Sequence, residues 1–330
     1  MELIFAGVED RQIRNDCYSA GVKKVLMSYY YIIDKGVPFD EVLDMFPLVV
    51  LDSGAFTMFS KAQDNHEKIN HVKYLSDYLN FASKYIGRLF WVANYDVNLL
   101  VGDKQVYDWN KEFEQLEKEG QRVCYVTHDY SLPYKNLYEY FDRYNFIGAS
   151  GGINSKTDTG YFEQVYNLSY RYRKLVHGFA MTNFVSFDKF PLFSADSTTY
   201  FSGGKYGITY VWNGSFFETI DYTKKEAIRR QQFRTCHKWG VDFGKFMDDN
   251  TRQVNKFNIN AWLMNEKNFN RRTLNRQWWL TEAERDFIKT NPFYMCTPNE
   301  LEVMHGVAPK VAPKGRRGRR KKKKEENGNT

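Results

Sequence analysis

Leu48-Val49-Val50-Leu51-Asp52-Ser53-Gly54-Ala55-Phe56 reads as a short strand that ends on a carboxylate. Four apolar residues with no polar alternation suit a strand covered on both faces, as in a parallel sheet. The same texture recurs at Leu3–Val8, Leu89–Ala93, Val123–Thr127, Phe146–Ala149, Leu175–Phe179 and Leu192–Ala195. Amphipathic stretches separate these runs. Lys68–Tyr85 sets Ile69, Val72, Leu75, Leu79 and Ala82 on one helical face, and Val106–Glu119 and Tyr161–Lys174 are similar. Strands alternating with helices predict parallel β/α units. Seven strands precede residue 200, and Val241–Met247 supplies an eighth, so the expected fold is α/β, a TIM-type (β/α)8 barrel. An open doubly wound sheet is the alternative, but no GxGxxG follows the first strand.

Beyond the strands, Gly207–Trp212, Asn213-Gly214 and Ser215–Ile220 read as a hairpin about a favoured two-residue turn. Thr223 with Glu226 and Thr281 with Glu284 are capping-box pairs that start helices, and Thr297-Pro298 with Glu300 marks another helix start. The expected organisation is a catalytic barrel over 1–265, a helical extension over 266–305, and a disordered Lys/Arg-rich tail over 306–330. The net charge of +7 is unevenly spread: residues 310–330 carry +8 and residues 221–300 carry +5, whereas residues 1–220 carry −5. An anionic partner would therefore meet the C-terminal third, not the barrel. That third also interleaves Trp212, Trp239, Trp262, Trp278 and Trp279 with Arg229, Arg230, Arg234, Arg271, Arg272 and Arg276. Guanidinium groups on phosphates with aromatics near unstacked bases suit nucleic acid; burial of the tryptophans in a core is the competing reading.

The N-terminus lacks the basic and apolar regions of a signal peptide, and no apolar run reaches the ~20 residues of a membrane span. Cys17, Cys124, Cys236 and Cys296 are far apart and form no CxxC pair. Free thiols in a cytoplasmic protein without a zinc motif are expected.

In a β/α barrel the chemistry lies where strands end. The polar residues there are Asp52, Asp96, His128-Asp129, His177 within its strand, and Asp196. Several carboxylates on one rim raise each other's pKa, which suits acid/base and nucleophilic roles; helix capping is the alternative use of each Asp. Ser53, Gly54 and Ala55 are small and would let backbone approach a ligand, on which Phe56 could stack.

Asp52-Ser53-Gly54-Ala55-Phe56 resembles the DSGGF signature of tRNA-guanine transglycosylases. Val176-His177-Gly178-Phe179 and Phe193-Ser194-Ala195-Asp196-Ser197 resemble that family's sixth- and seventh-strand region, and Asp96 and Phe146-Ile147-Gly148 lie between them in the family's order. The resemblance covers about residues 45–220. It implies Asp196 as covalent nucleophile, Asp52 as general acid/base, and Asp96 as reader of the guanine edge. Phe56 would stack on the base, with Ser53, Gly54, Gly148, His177 and His128 lining its pocket. The signature departs at Ala55 and Thr57, and the zinc-binding CxCxxC of the tRNA enzymes is absent. Those features are most like the phage and bacterial DNA 7-deazaguanine transglycosylases. The expectation is a pentosyltransferase that exchanges guanine in DNA for a free 7-deazaguanine base by base flipping, without metal or other cofactor. Arg271, Arg272, Arg316, Arg317, Arg319 and Arg320 would hold the nucleic acid. Exchange in tRNA, base release by water, and a non-catalytic nucleic-acid-binding barrel are the alternatives.

Overall fold

The computed structural model describes residues 1–65, 69–128, 135–150, 159–181, 184–212, 217–220 and 225–290. Eight parallel strands close into a barrel: β1 (Glu2–Ala6), β2 (Lys24–Ser28), β3 (Leu48–Asp52), β4 (Trp91–Ala93), β5 (Val123–Thr127), β6 (Phe146–Ser150), β7 (Leu175–Phe179) and β8 (Ser194–Ser197). Each strand pairs with the next in sequence, and β8 returns to β1 with Ile4 opposite Asp196. The TIM-type (β/α)8 expectation holds.

One of the eight strands is not where the apolar runs placed it. Val241–Met247 is not a strand: Asp242 accepts a hydrogen bond from the Lys245 N–H and caps a short helix, Phe243–Met247. The strand that completes the barrel is β2. Its apolar run is only Val25-Leu26-Met27, preceded by Lys24 and followed by Ser28 and then Tyr29-Tyr30-Tyr31-Ile32, which opens the next helix, Tyr29–Lys35. Lys24 is tolerated inside because it pairs with Glu2 and, at 2.7 Å, with Glu266. A buried cation needs such partners to remain charged.

Side chains that alternate along the strands fill the barrel. Ile4, Ala6, Leu26, Leu48, Val50, Trp91, Ala93, Cys124, Val126 and Phe146 form one interior cluster, so the barrel is a packed core and not a pore. Trp279 packs against this cluster, edge-on to Phe193 at 6.1 Å between centroids.

The helix Thr251–Thr273 binds the C-terminal part to the barrel. Asn250 caps its start by accepting from the Gln253 N–H. The helix runs down the outside of the barrel. Trp262 meets Tyr200 near the strands' C-terminal ends, Glu266 accepts from the Leu3 N–H, and Asn270 accepts from the Met1 amino group. The boundary expected at residue 265 falls inside this helix. It also crosses the helix Thr199–Tyr206 closely: a Cβ on Gly203 would sit 2.0 Å from Asn258 Nδ2 and 2.1 Å from the Ile208 carbonyl oxygen. The absence of a side chain at Gly203 thus lets buried Asn258 bond the Tyr210 N–H and the Ile208 carbonyl. The expected hairpin is present as antiparallel β9 (Thr209–Trp212) and β10 (Phe217–Ile220). Its Asn213-Gly214 turn lies outside the described residues, as do Thr223, the Thr297–Glu300 start and the whole tail. The Thr281–Glu284 capping box forms: Glu284 Oε2 accepts from the Thr281 N–H at 2.6 Å, and Thr281 Oγ1 accepts from the Glu284 N–H.

Candidate active site

Four acidic side chains collect at the C-terminal ends of the strands. Asp52 closes β3, Asp96 follows β4, Asp196 lies on β8, and Glu9 follows β1. Parallel strands bring their C-terminal ends to one rim, so residues far apart in sequence meet there. Glu9 is an addition to the expected set, although it directly follows the apolar run Leu3–Val8 and satisfies the rule that selects Asp52. It is buried, its Oε1 accepts from the Ser28 N–H at 2.6 Å, and burial raises its pKa.

The loop after β3 is built around a tight turn. Gly54 has φ +84°, and a Cβ there would lie 2.4 Å from Tyr30 Cβ. Its smallness therefore serves close passage of the loop over Tyr30, and its N–H donates to Asp52 Oδ2 at 3.0 Å. Ser53 is buried and donates to Asp96 Oδ1 at 2.9 Å. Tyr74 and Tyr78 support the loop from behind: the Tyr74 hydroxyl donates to the Ser53 carbonyl, and that of Tyr78 to the carbonyls of Leu51 and Ala93. Phe56 is 83 % exposed on the first turn of the helix Ala55–Asn65.

Burial first, and then the charge of Asp96, push the Asp52 carboxyl up to about 8; Asp196 and Glu9 add to the rise, and the Gly54 N–H opposes it. A proton on Asp52 near neutral pH is the consequence. Asp96 is held at both oxygens, by Ser53 and by His128 Nε2 at 2.9 Å from Oδ2. Burial works against a charge on His128, but its hydrogen bond and attraction to Asp96 outweigh that and raise its pKa. His128 also borders a cavity of about 650 Å³ whose walls include Asp103, Tyr107, Glu139 and Tyr140.

On the opposite strands, Asp196 is nearly buried, at 6 % exposure. Its Oδ1 accepts from the Ala180 N–H at 2.8 Å and lies 3.2 Å from His177 Nε2. Its Oδ2 makes no hydrogen bond to a described residue. His177 points inward from the middle of β7, where Trp91 and Phe179 meet it edge-on at 4.7 and 4.4 Å. Gly148 faces the same interior, and the space its missing side chain leaves is taken by the Phe179 ring, 2.6 Å from where a Cβ would be. Trp91 and Phe179 are thus walls of the site as well as strand residues, a role that their place in apolar runs conceals.

The site therefore brings together Asp52, Ser53, Gly54, Asp96 and His128 on one side, and His177, Gly148 and Asp196 on the other. It does not bring in the arginines. Arg271 is exposed and Arg272 pairs with Asp188 at 3.0 Å, and both lie on the last turn of Thr251–Thr273, at the end of the barrel away from the carboxylates. Arg229 is fully buried, bonded to Thr209 Oγ1, the Phe246 carbonyl and Asp249. Trp262 is core, and Trp278 donates from Nε1 to Ser169 Oγ. Of the interleaved set, Arg229 and Trp262 are core, whereas Arg230, Arg234, Arg271, Arg272 and Arg276 are exposed. Arg316, Arg317, Arg319 and Arg320 lie outside the described residues. Asp129 does too.

Among the described residues no group of three or more His, Cys, Asp or Glu side chains is placed to hold a metal ion, and no helix is long and apolar enough to cross a membrane. Cys17, Cys124 and Cys236 are buried free thiols. Comparison with protein-family models, with curated proteins and with solved structures finds no match.

Proposed function

We propose that the protein is a base-exchanging glycosyltransferase acting on DNA, replacing guanine with a 7-deazaguanine through a covalent glycosyl-enzyme. The observation that carries this reading is the unequal carboxylate pair. Asp52 lies beside Asp96, and burial and that charge push its pKa up to about 8, while Asp196 has one oxygen held by hydrogen-bond donors and the other without a partner among the described residues. A carboxyl group with a raised pKa facing one that has an oxygen open to attack suits the acid and nucleophile roles of a retaining glycosidase.

In the first half-reaction an electron pair on Asp196 Oδ2 forms the C1′–O bond as the C1′–N9 bond breaks. The departing guanine takes the pair and the proton of Asp52. In the second half-reaction the incoming base gives its N9 proton to Asp52, N9 attacks C1′, and the pair of the C1′–O bond returns to Asp196. Two inversions give retention. Asp96, fixed by Ser53 and His128, would accept from the base edge, and exposed Phe56 would stack on the flipped base. The rim is acidic, so attraction to phosphate falls to the tail, with Arg316, Arg317, Arg319 and Arg320 supplying contacts independent of sequence.

The test is incubation with guanine-containing DNA, or with tRNA, and a labelled 7-deazaguanine. Label in DNA that disappears in Asp196→Ala is expected. Label in tRNA alone would replace the DNA assignment, guanine release without incorporation would make the enzyme a hydrolase, and binding without turnover would leave a nucleic-acid-binding barrel.

A further inference from the structure

We propose that His177, with the Ala180 N–H, forms a donor pair on Asp196 Oδ1 that makes the aspartyl ester a better leaving group in the second half-reaction; this rests on the covalent mechanism above. His177 is a positioning residue here, since it acts through Asp196.

Three observations support it. First, the hydrogen bonds fix the tautomer. His177 Nδ1 lies 2.9 Å from Ser194 Oγ, and Nε2 lies 3.2 Å from Asp196 Oδ1. A carboxylate oxygen only accepts, so Nε2 carries the proton and Nδ1 accepts from the Ser194 hydroxyl. Second, the ring is fully buried between Trp91 and Phe179, and burial lowers its pKa, so it donates as a neutral imidazole. Third, Ala180 has φ +49°, a left-handed backbone that a non-glycine residue rarely adopts. That conformation accompanies the 2.8 Å bond from its N–H to the same oxygen. Strain held at a clamp of this kind is a mark of a site.

The consequence follows from charge. In the glycosyl-enzyme, Oδ1 is the carbonyl oxygen of a neutral ester. As the C1′–Oδ2 bond breaks, the pair it releases spreads over both oxygens, and negative charge grows on Oδ1 where two donors already point. Donors aimed at developing charge stabilise that transition state more than the ester ground state. Removing one should therefore slow release of the sugar to the incoming base more than its capture, and the adduct should accumulate.

The experiment compares wild type, His177→Phe, His177→Gln and Ser194→Ala with an end-labelled, guanine-containing single-stranded oligonucleotide and 7-deazaguanine. Denaturing gels give the covalent fraction, base analysis gives the exchange rate, and circular dichroism checks folding. In His177→Phe, exchange should fall about tenfold or more while the steady-state adduct rises several-fold. Glutamine, which keeps a donor, should restore part of the rate. Ser194→Ala, which frees the tautomer, should shift both readouts the same way by less, and it carries the test if His177→Phe does not fold. Adduct and exchange falling together in the folded variants would overturn the inference while leaving the transglycosylase reading intact. Absence of any adduct in wild type would overturn both.

Discussion

Replacing Asp52 with asparagine should change how stability depends on pH, by an amount that follows from the rim's geometry. In the folded protein the half-buried Asp52 carboxyl is pushed up to about 8 by desolvation and by Asp96, with Asp196 and Glu9 adding to the rise. In the unfolded chain an Asp titrates at about 3.9. Between these values the folded state holds a proton that the unfolded state has released. A raised acid contributes stability that is present below the unfolded pKa and is lost as pH rises towards the folded one. One such proton gives a slope of about −1.4 kcal/mol per pH unit, or about 4 kcal/mol between pH 5 and pH 8. An asparagine side chain has no proton to bind over this range, so Asp52→Asn should gain on the wild type by that amount. Urea unfolding followed by circular dichroism at pH 5, 6, 7 and 8, for both proteins, measures it. Parallel stability profiles would refute the argument, since they would mean that Asp52 ionises in the folded protein as it does in the unfolded chain.

Other expectations concern the scaffold and the tail. Glu266→Ala removes a partner of buried Lys24 and the acceptor of the Leu3 N–H; a loss of about 3–5 kcal/mol is expected, seen as a lowered urea midpoint, and an unchanged midpoint would show that Lys24 is satisfied by Glu2 alone. Gly203→Ala would drive a methyl group into the Ile208 carbonyl and Asn258 and should destabilise by about 1–3 kcal/mol in the same assay. Its failure to do so would mean that the two helices separate without penalty. Removing residues 306–330 should weaken DNA binding and flatten its salt dependence, by about 0.9 in log–log slope for each phosphate that the tail neutralises; an equal slope for both chains would exclude the tail as a DNA-binding surface.

Much of the site is legible in the sequence because its rule is one-dimensional. A carboxylate placed within a few residues after a buried apolar run stands at the strand's C-terminal end, and that rule alone finds Asp52, Asp96 and Asp196. Applied to the first strand, it also finds Glu9. His177 is visible as a polar residue within an apolar strand, but its partner Ser194 is not, since the two meet only through the register of β7 and β8. β2 is hidden because it opens on Lys24 and its apolar run is only three residues long, and the Glu266 carboxylate that keeps that cation buried lies on a helix 242 residues away.

Residue order and type by themselves determined the class of fold, the rim on which the carboxylates stand and the concentration of positive charge beyond residue 310. These rest on local patterns of hydrophobicity and charge, which act over a few residues. Tertiary structure alone decided which arginines and tryptophans are core, that Phe179 fills the gap at Gly148, and that Asp52 and Asp196 experience different surroundings. Burial and the distance between charges are properties of packed neighbours, and no spacing along the chain encodes them.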